Sequence, residues 1–297
     1  MNFGIVYLCR GVDINQQDII DFSVALEKNL LKLETSHRYK VYIIFKGWNE
    51  KDHVNPKSFF NNIKKKIKFF YFSDDGFDLG TYFKILKYVN EEYIYFFNTT
   101  SKIVNKNFFK YSIKAMLDKK LGLLGYAGSF GTLRPSIKKI FFKLKIDINK
   151  NFINALKIFL IDFISFPYHL YLYKNFPKFP NPHIRSHVFL IQKNLYKQFS
   201  KNSKYPKTKI EVCELESGKK GLTQFVQQNG YDVKVINSKN KIYNVNEFDK
   251  SETWRTGRKQ LVLVADHGTV FYEKMPINRK LFKEYCAWEK IKTNYKN

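Results

Sequence analysis

Apolar runs of strand length alternate with apolar residues at helical spacing through the first half of the chain. The pattern predicts strands at residues 2–9, 39–45, 67–72, 93–97 and 121–126. It predicts helices between them at residues 16–34, 56–66, 81–92 and 105–120. Apolar strands separated by helices are typical of a mostly parallel sheet that is covered on both faces. We therefore expect an α/β fold of Rossmann-like type.

The middle of the chain breaks this alternation. Residues 134–150 are rich in Lys and Arg, and residues 152–173 are apolar on most faces of a helix. Lys157, Asp162 and Pro167 interrupt the apolar stretch, which is too broken to predict a membrane-spanning helix. Two interpretations remain open, a helical hairpin buried against the sheet and an element lying in a membrane interface. Either way, we expect one catalytic domain over residues 1–297 with a helical insertion at 134–180.

The α/β pattern returns after the insertion. It predicts strands at residues 186–191, 231–236 and 261–265, and helices at 219–229 and 277–291. The stretches at 200–209 and 237–241 are rich in Lys and Asn and are expected to be loops. The second half is therefore expected to extend the same sheet.

The charge of the chain does not change the expected fold. Lys and Arg number 52 and Asp and Glu number 26, which gives a net charge of +26. Such a charge attracts polyanions, including anionic lipid and phosphorylated substrates, but codon bias in an AT-rich genome would produce the same excess of Lys. The three cysteines form no CxxC pair, and the first residues lack the pattern of a signal peptide. These features predict a cytoplasmic protein, peripheral on the inner face of the membrane if the insertion lies in the interface.

Candidate chemistry is expected where the strands end, because open α/β sheets bind ligands beyond the carboxyl ends of their strands. This rule selects Arg10, Lys46 and the polar turns at 74–80 and 98–101. The sequence has no GxGxxG after the first strand, no GxxxxGK[ST], no HExxH and no GxSxG. The sequence therefore does not favour a simple nicotinamide-binding protein, a P-loop protein or a hydrolase of these types.

Seven segments follow one another in an order that is similar to that of a known enzyme group. They are IVYLCRG, FDLGTY, YIYFFNTTS, LGLLGYAGSFGT, NPHIRSHVFLI, ELESGKKGLTQFVQQNG and TWRTGRKQLVLVADHGTVFY. Together they resemble glycosyltransferases of the GT-A fold, in particular bacterial enzymes related to family 2 and to rhamnan-synthesis proteins. The resemblance implies inverting transfer of a sugar from a nucleotide-sugar donor to a glycan or lipid-linked acceptor during the synthesis of surface polysaccharide.

The resemblance implies a donor site built from Arg10, Asp78, Gly80 and the turn Asn98–Thr100. Gly80 permits close approach of a backbone, and a helix N-terminus offers N–H groups to phosphate. Asp78 is also a candidate helix cap. Enzymes of this group usually have an Asp-x-Asp motif at the turn, where this chain has Asn98, Thr99 and Thr100. Neutral groups are poor sole ligands for Mg²⁺ or Mn²⁺, so a divalent cation is an uncertain cofactor here.

The diphosphate and the acceptor are expected to meet His183, Arg185, Trp254 and Arg255. His183 and Arg185 alternate onto one face of an extended segment, and Arg185 suits a phosphate or carboxylate. Trp254 is a candidate platform for an acceptor sugar, with Arg255 or Arg258 neutralising phosphate. Asp266 and His267 follow a predicted strand and are candidate metal ligands, although two adjacent residues form a weak signal.

Glu216 is the candidate general base. In an inverting transferase a carboxylate removes the proton of the attacking hydroxyl, and family 2 enzymes place that acid before a helix. Glu216, Leu222 and Gly230 match this arrangement, and Glu214 lies two residues earlier. A purely structural role, in which the charge of Glu216 stabilises a helix N-terminus, fits the sequence equally well.

Two alternatives belong to other classes of function. A basic, aromatic nucleic-acid-binding protein would concentrate its charge or carry a recognition motif, whereas here Lys and Arg are widely spread, so we do not expect nucleic acid as a partner. A nucleotidyltransferase on a similar sheet would need paired acidic metal ligands after a strand, which the NTTS turn does not provide.

Overall fold

The computed structural model describes residues 1–13, 16–30, 37–48, 67–139, 141–142, 166–257 and 259–291. Its strands are β1 Asn2–Arg10, β2 Arg38–Lys46, β3 Ile67–Phe72, β4 Tyr93–Phe97, β5 Lys102–Ile103, β6 Leu121–Gly125, β7 Gly128–Ser129, β8 His183–Ile184, β9 Val188–Gln192, β10 Asp232–Ile236, β11 Ile242–Asn244 and β12 Val264–Ala265.

The helices follow the same order along the chain. They are α1 Gln16–Leu30, α2 Phe77–Ile85, α3 Phe108–Ala115, α4 Phe166–Asn175, α5 Lys193–Asn202, α6 Lys209–Ser217, α7 Leu222–Gln228, α8 His267–Lys274 and α9 Ile277–Trp288, with a 3₁₀ helix at Val245–Ser251. The predicted helix at 56–66 lies outside the described residues.

Eight strands form the central sheet, in the order β11-β10-β6-β9-β4-β1-β2-β3. The pairs β1–β2, β1–β4, β2–β3 and β6–β10 are parallel. Strand β9 is antiparallel to both of its neighbours, β4 and β6, and β11 is antiparallel to β10. The predicted α/β class with a mostly parallel sheet is thus confirmed, while β9 reverses direction at the centre.

Apolar side chains bury both faces of this sheet. On one face, α1 and α3 pack through residues such as Phe22 and Phe108, and the ring of Tyr7 stacks on Phe22 with 3.6 Å between centroids. On the other face, α2, α5, α6 and α7 pack through residues such as Tyr82 and Val226. Helices on both faces explain why central strands such as β4 and β6 are buried throughout instead of alternating.

Several predicted elements differ from those observed. The predicted strand at 261–265 is reduced to β12, which pairs with the short β5 instead of joining the central sheet. Helices α5 and α6 occupy Lys193–Asn202 and Lys209–Ser217, on both sides of a stretch that was expected to be a loop. A capping box starts α6, in which the Thr208 side chain accepts from the Glu211 N–H and Glu211 accepts from the Thr208 N–H.

The described part of the insertion consists of residues 134–139, 141–142 and the stretch from α4 to residue 180. Arg134 lies over the ring of Tyr173, 4.5 Å from its centroid, and Phe142 stacks on Tyr285 at 3.9 Å. None of the helices in the described ranges has the length and apolar character that crossing a membrane requires. Residues 152–165, the larger part of the predicted apolar stretch, lie outside the described residues.

Candidate functional site

The carboxyl edge of the sheet gathers nearly all of the predicted site residues. Strand β1 ends at Arg10 and β4 ends at Phe97 on this edge. Because β9 is antiparallel to β4, with Phe97 opposite Val188, its first residues and not its last lie at the same edge. The segment before β9 therefore meets the turn after β4.

A cavity of about 900 Å³ opens beside the ends of β1, β2 and β3. Its lining combines cationic, anionic and aromatic groups, namely Arg10, Asp13, Lys46, Asp74, Asp75, Gly76, Phe77, Asp78, Tyr205, Pro206, Lys207 and Lys209. The predicted donor residues Arg10 and Asp78 thus share one cavity. Its volume falls within the range typical of small-molecule sites.

Arg10 is already neutralised by protein carboxylates. Its Nε and Nη2 donate to the two oxygens of Asp74, each at 2.7 Å, and Nη1 donates to Asp13 at 2.8 Å. Hydrogen bonds from Asp74 and Asp13 raise the pKa of Arg10, and the same Arg10 contact lowers the pKa of Asp74. Arg10 therefore shapes the wall of the cavity as part of a fixed ionic group.

Lys46 and Asp78 face the cavity from beneath. Lys46 is almost completely buried, donates from Nζ to the Phe77 carbonyl at 3.0 Å and lies 3.4 Å from Asp74. Burial lowers the pKa of Lys46 and raises that of Asp78, although the positive charge of Lys46 partly opposes the latter shift. The predicted cap role of Asp78 is wrong, because Gly76 is the N-cap of α2 and no side chain caps that helix.

Gly80 is tightly packed within the protein. A Cβ at this position would lie 3.0 Å from Tyr205 and 3.3 Å from Pro206. The tight fit brings the Tyr205–Pro206 segment against α2 and so closes one side of the cavity. Gly80 therefore acts on the predicted donor site through Tyr205.

The turn after β4 is tied into the protein by each of its side chains. Thr99 accepts from the Arg10 N–H at 3.2 Å, Thr100 accepts from the His267 N–H at 3.3 Å, and Asn98 accepts from the Ser101 hydroxyl at 2.7 Å. The Asn98 N–H donates to the His187 carbonyl at 2.9 Å. The turn thus joins the ends of β1 and β4, the start of β9 and the start of α8.

Glu216 lies in the last turn of α6, inside a helix instead of before one, and its carboxylate is fully engaged. Arg185 Nη1 and the Ser186 hydroxyl both donate to it through short hydrogen bonds, and the Ser186 N–H donates at 2.8 Å. Burial raises the pKa of Glu216, but the positive charge of Arg185 and the Ser186 hydrogen bonds outweigh it and leave the pKa below its usual value. Arg185 is therefore held by Glu216.

Two guanidinium groups share the indole of Trp254. Arg185 lies 5.0 Å and Arg255 lies 4.7 Å from the ring centroid. Trp254 is 3% exposed, so its predicted role as a platform for an acceptor sugar is wrong, because the ring is covered. Burial and the nearby charge of Arg185 lower the pKa of Arg255 to about 10. A desolvated guanidinium that is repelled by a second one, as Arg255 is by Arg185, attracts an anion.

Three other predicted residues make contacts within the protein. His183 is buried, its Nδ1 lies 2.8 Å from the Asn181 carbonyl, and burial lowers its pKa to about 4. Asp266 is the N-cap of α8, and its Oδ1 accepts from the N–H and the hydroxyl of Thr269, each at 2.6 Å. His267 is exposed, and its ring centroid lies 6.0 Å from that of Phe271.

The predicted metal pair Asp266 and His267 does not by itself form a cation site. In the described ranges, no three His, Cys, Asp or Glu side chains come together in a way that could hold a metal ion. The side chains of the Asn98–Thr100 turn are already engaged as acceptors. Burial raises the pKa of Asp266, but the electrostatic interaction with His187 and the hydrogen bonds from Thr269 outweigh it and leave the pKa below its usual value.

His187 was missed by the sequence interpretation. It is 7% exposed, lies immediately before β9 and belongs to the segment NPHIRSHVFLI. The alternation that singled out His183 and Arg185 continues to His187, so a signal was present. This signal alone does not indicate a functional role, because a histidine beside a buried strand is more often part of the core.

No family model and no curated protein matches the sequence. Among solved structures, the chain is similar to a galactosyltransferase in complex with donor and acceptor sugar analogues, at 10% identity and a TM-score of 0.43, over 79% of this chain and 73% of that one. It is also similar to a CMP:2-keto-3-deoxy-manno-octonic acid synthetase complexed with CTP, at 10% identity and a TM-score of 0.41, over 80% and 89% of the two chains.

A third similar structure is glucosyl-3-phosphoglycerate synthase from Mycobacterium tuberculosis in complex with Mn²⁺, uridine diphosphate and phosphoglyceric acid. It shares 8% identity and a TM-score of 0.33, over 65% of this chain and 56% of that one. None of the three assigns the chain to a family.

Proposed function

We propose that this protein is a glycosyltransferase of the GT-A class, related to family 2 and rhamnan-synthesis enzymes. It would transfer a sugar from a nucleotide-sugar donor to a glycan or lipid-linked acceptor in the synthesis of surface polysaccharide. The observation that carries the proposal is the pair of guanidinium groups on Trp254, next to the carboxyl edge of the sheet. The cavity lined by Arg10 and Asp78 lies at the same edge.

The cavity suits the nucleoside part of the donor. Its acidic side chains can accept hydrogen bonds from ribose hydroxyls and base N–H groups. Lys207 and Lys209 on its rim favour the attached phosphates. The charges of Arg10 and Lys46 are balanced by Asp13 and Asp74, so this part of the wall is close to neutral.

Arg185 and Arg255 are proposed to bind the diphosphate. In the transfer, the bond from the anomeric carbon to the diphosphate oxygen breaks, a bond from the acceptor oxygen to that carbon forms, and the acceptor hydroxyl loses its proton. Negative charge grows on the departing diphosphate, and fixed guanidinium groups stabilise it without reorganising. Arg255 is especially suited, because its pKa is lowered by burial and by Arg185, and an incoming anion relieves both effects.

Glu216 has two roles that are open to test. As a general base it would take the acceptor proton, whereas its observed contacts favour the role of holding Arg185 in place. Glu216→Gln lowers turnover under either role, by about 10²–10⁴-fold for a lost base. A base role predicts that the acidic limb of the pH profile of kcat/KM disappears in Glu216→Gln. A positioning role predicts that this limb stays and that donor affinity falls.

The proposal is tested first by donor binding. Thermal shift with nucleoside diphosphates and nucleotide sugars should show stabilisation by one nucleotide class, since a ligand that binds the folded state raises its stability. Arg255→Gln should weaken nucleoside diphosphate binding by about 10–100-fold, the effect of losing a charge-assisted hydrogen bond. Arg279→Gln is the matched control, because Arg279 is exposed on α9.

Two results would contradict the proposal. One is the absence of stabilisation by every nucleoside diphosphate and nucleotide sugar. The other is equal binding by Arg255→Gln and the wild-type chain. Stabilisation by a nucleoside triphosphate, with release of pyrophosphate in the presence of a sugar phosphate, would instead establish the nucleotidyltransferase alternative.

A lipid-linked acceptor is consistent with an exposed apolar surface on the insertion. Ile137, Phe141, Tyr168 and Leu170 expose between 51% and 72% of their surface. Basic side chains adjoin them, including Arg134, and a shallow cavity of about 370 Å³ lies at the base of the insertion. We propose that this surface, here termed the insertion face, rests on an anionic membrane, where aromatic and basic side chains are favoured together.

A further inference from the structure

The cavity of about 370 Å³ at the base of the insertion is rich in positive charge. Arg134, Lys138 and Lys178 line it, and among the described residues of the lining only Glu289 carries a carboxylate. Three cations against one carboxylate leave the cavity with two uncompensated positive charges. A concave site with such an excess attracts an anion that carries a similar charge.

These three cations differ from those of the larger cavity, where Arg10 and Lys46 are both paired with Asp74. In the part of the chain that the structure describes, none of the cations of the smaller cavity forms an ion pair. The protein therefore neutralises the cations of one cavity and leaves those of the other available to a ligand.

Arg134 is held in position without using the donors of its side chain. Its guanidinium carbon lies 4.5 Å from the ring centroid of Tyr173, and its main-chain N–H donates to Thr132 Oγ1 at 3.0 Å. The Thr132 hydroxyl donates to the Pro177 carbonyl at 2.8 Å, and Lys139 Nζ donates to the Thr132 carbonyl at 3.0 Å. No described residue accepts a hydrogen bond from the Arg134 guanidinium. Its planar set of N–H donors is thus free to bind a phosphate group.

The cavity adjoins both the insertion face and the pair of guanidinium groups on Trp254. Ile137 lines the cavity and is 72% exposed on the insertion face. Glu289 directly follows Trp288, whose indole N–H donates to the carbonyls of Trp254 and Arg255, each at 3.1 Å. A ligand in the cavity would therefore lie next to the proposed membrane contact and close to the proposed diphosphate site.

We propose that this cavity binds the diphosphate group through which the acceptor is attached to its lipid. The inference rests on the proposed function and assigns a separate anion site, on the insertion, to the lipid end of the acceptor. A diphosphate diester carries about two negative charges, one on each phosphate, which balance the uncompensated charges of the cavity. The rings of Tyr173 and Phe179 in the lining provide apolar contact for the groups next to the phosphates.

The test is calorimetric titration of the full chain with octyl methyl diphosphate, a soluble diester, in the presence of saturating uridine diphosphate. The nucleotide occupies the proposed donor site, so the remaining binding reports the cavity. Lys178→Gln should lower the affinity by about 10–100-fold, the effect of losing a charge-assisted hydrogen bond, and Arg134→Gln should do the same. Lys174→Gln is the matched control, because Lys174 is an exposed lysine of α4 outside the lining, and it should leave the affinity unchanged.

Two further probes separate the possible sources of the phosphate. Octyl methyl phosphate has the same hydrocarbon and one charge, as an ordinary phospholipid headgroup has, and should bind at least about tenfold more weakly. Dimethyl diphosphate has both charges and no octyl chain, and it should also bind at least about tenfold more weakly. Equal affinity for the first probe would identify a general headgroup site, and equal affinity for the second a site for free anions. Either result overturns the inference.

The inference is also overturned if octyl methyl diphosphate does not bind the wild-type chain, or if Lys178→Gln and Lys174→Gln bind it equally. Both lysines are exposed, so neither variant should impair folding. Binding that depends on Lys178, without any binding of nucleotide sugars, would refute the proposed function and support the anion site. Binding of nucleotide sugars without binding of the lipid diphosphate would overturn this inference alone.

Discussion

Replacing Glu216 by Gln is expected to reduce stability by an amount that the contacts of Glu216 determine. Its two oxygens accept from Arg185, from the Ser186 hydroxyl and from the Ser186 N–H. A Gln side chain has one acceptor oxygen and an NH₂ group, so whichever way it is turned, a donor faces a donor. One buried donor then has no partner, and the Arg185 charge loses its counterion.

The cost combines an unpaired buried donor, about 1–3 kcal/mol, with a lost ion pair. Because the Arg185 side chain is 33% exposed, water screens part of the ion-pair loss. We expect a total of about 2–4 kcal/mol. For a chain of this length, with an unfolding entropy of about 2.1 cal/mol/K per residue, this corresponds to a fall in Tm of about 3–6 °C.

The pH dependence identifies the source of the loss. The folded pKa of Glu216 is lowered, so its stabilising contribution is complete above the unfolded pKa of about 4.3 and disappears as the pH falls through the folded value. We expect the difference in unfolding free energy between wild type and Glu216→Gln, measured in urea, to be constant across the neutral range, from about pH 6 to 8. It should shrink below about pH 4.5.

Glu214→Gln is the control for this experiment. It lies on the same helix, its Oε1 has no hydrogen-bond partner among the described residues, and a Gln oxygen can still accept the hydrogen bond that its carboxylate shares with Tyr171, so we expect less than about 1 kcal/mol. Equal stability of Glu216→Gln and wild type at neutral pH would refute the assigned contacts. A difference that persisted unchanged at acidic pH would show that shape, and not charge, is responsible.

Three further outcomes are expected. Gly125→Ala places a Cβ 2.3 Å from the buried Ile184 Cδ1 and should cost about 1–3 kcal/mol of unfolding free energy in urea. Thr208→Ala removes the cap of α6 and should lower stability by about 1 kcal/mol, whereas Thr208→Ser should be near wild type. Ile137→Asp should reduce flotation with liposomes containing anionic lipid and leave donor binding unchanged, and undiminished flotation would exclude the insertion face as the contact.

The parallel part of the sheet could be predicted because its signal is local. Strands β1 to β4 and β6 are built on apolar runs, and such runs between helices favour parallel pairing. The direction of β9 could not be predicted in this way, because an apolar run looks the same in either direction. Its antiparallel pairing depends on contacts such as Phe97 with Val188, which are distant in sequence.

The candidate site was predicted less completely than the sheet. Arg10 and Asp78 follow from the strand-end rule and share a cavity. Trp254 was expected to be accessible, but burial depends on the packing of the whole chain and has no local signature. Helix α6 carried a readable start signal in Thr208 and Glu211, and recognising this capping box would have placed Glu216 inside a helix.

Strand β9 also affects the order in which the chain can fold. It separates β4 from β6, so these two strands have no direct partner on their shared side until residue 192 has been synthesised. During that interval β4, with the sequence YIYFF, presents an unpaired aromatic edge of the kind that pairs with other chains. Insertion of β9 closes both edges at once, so the strand that follows His187 also ends the interval in which the growing chain is prone to aggregation.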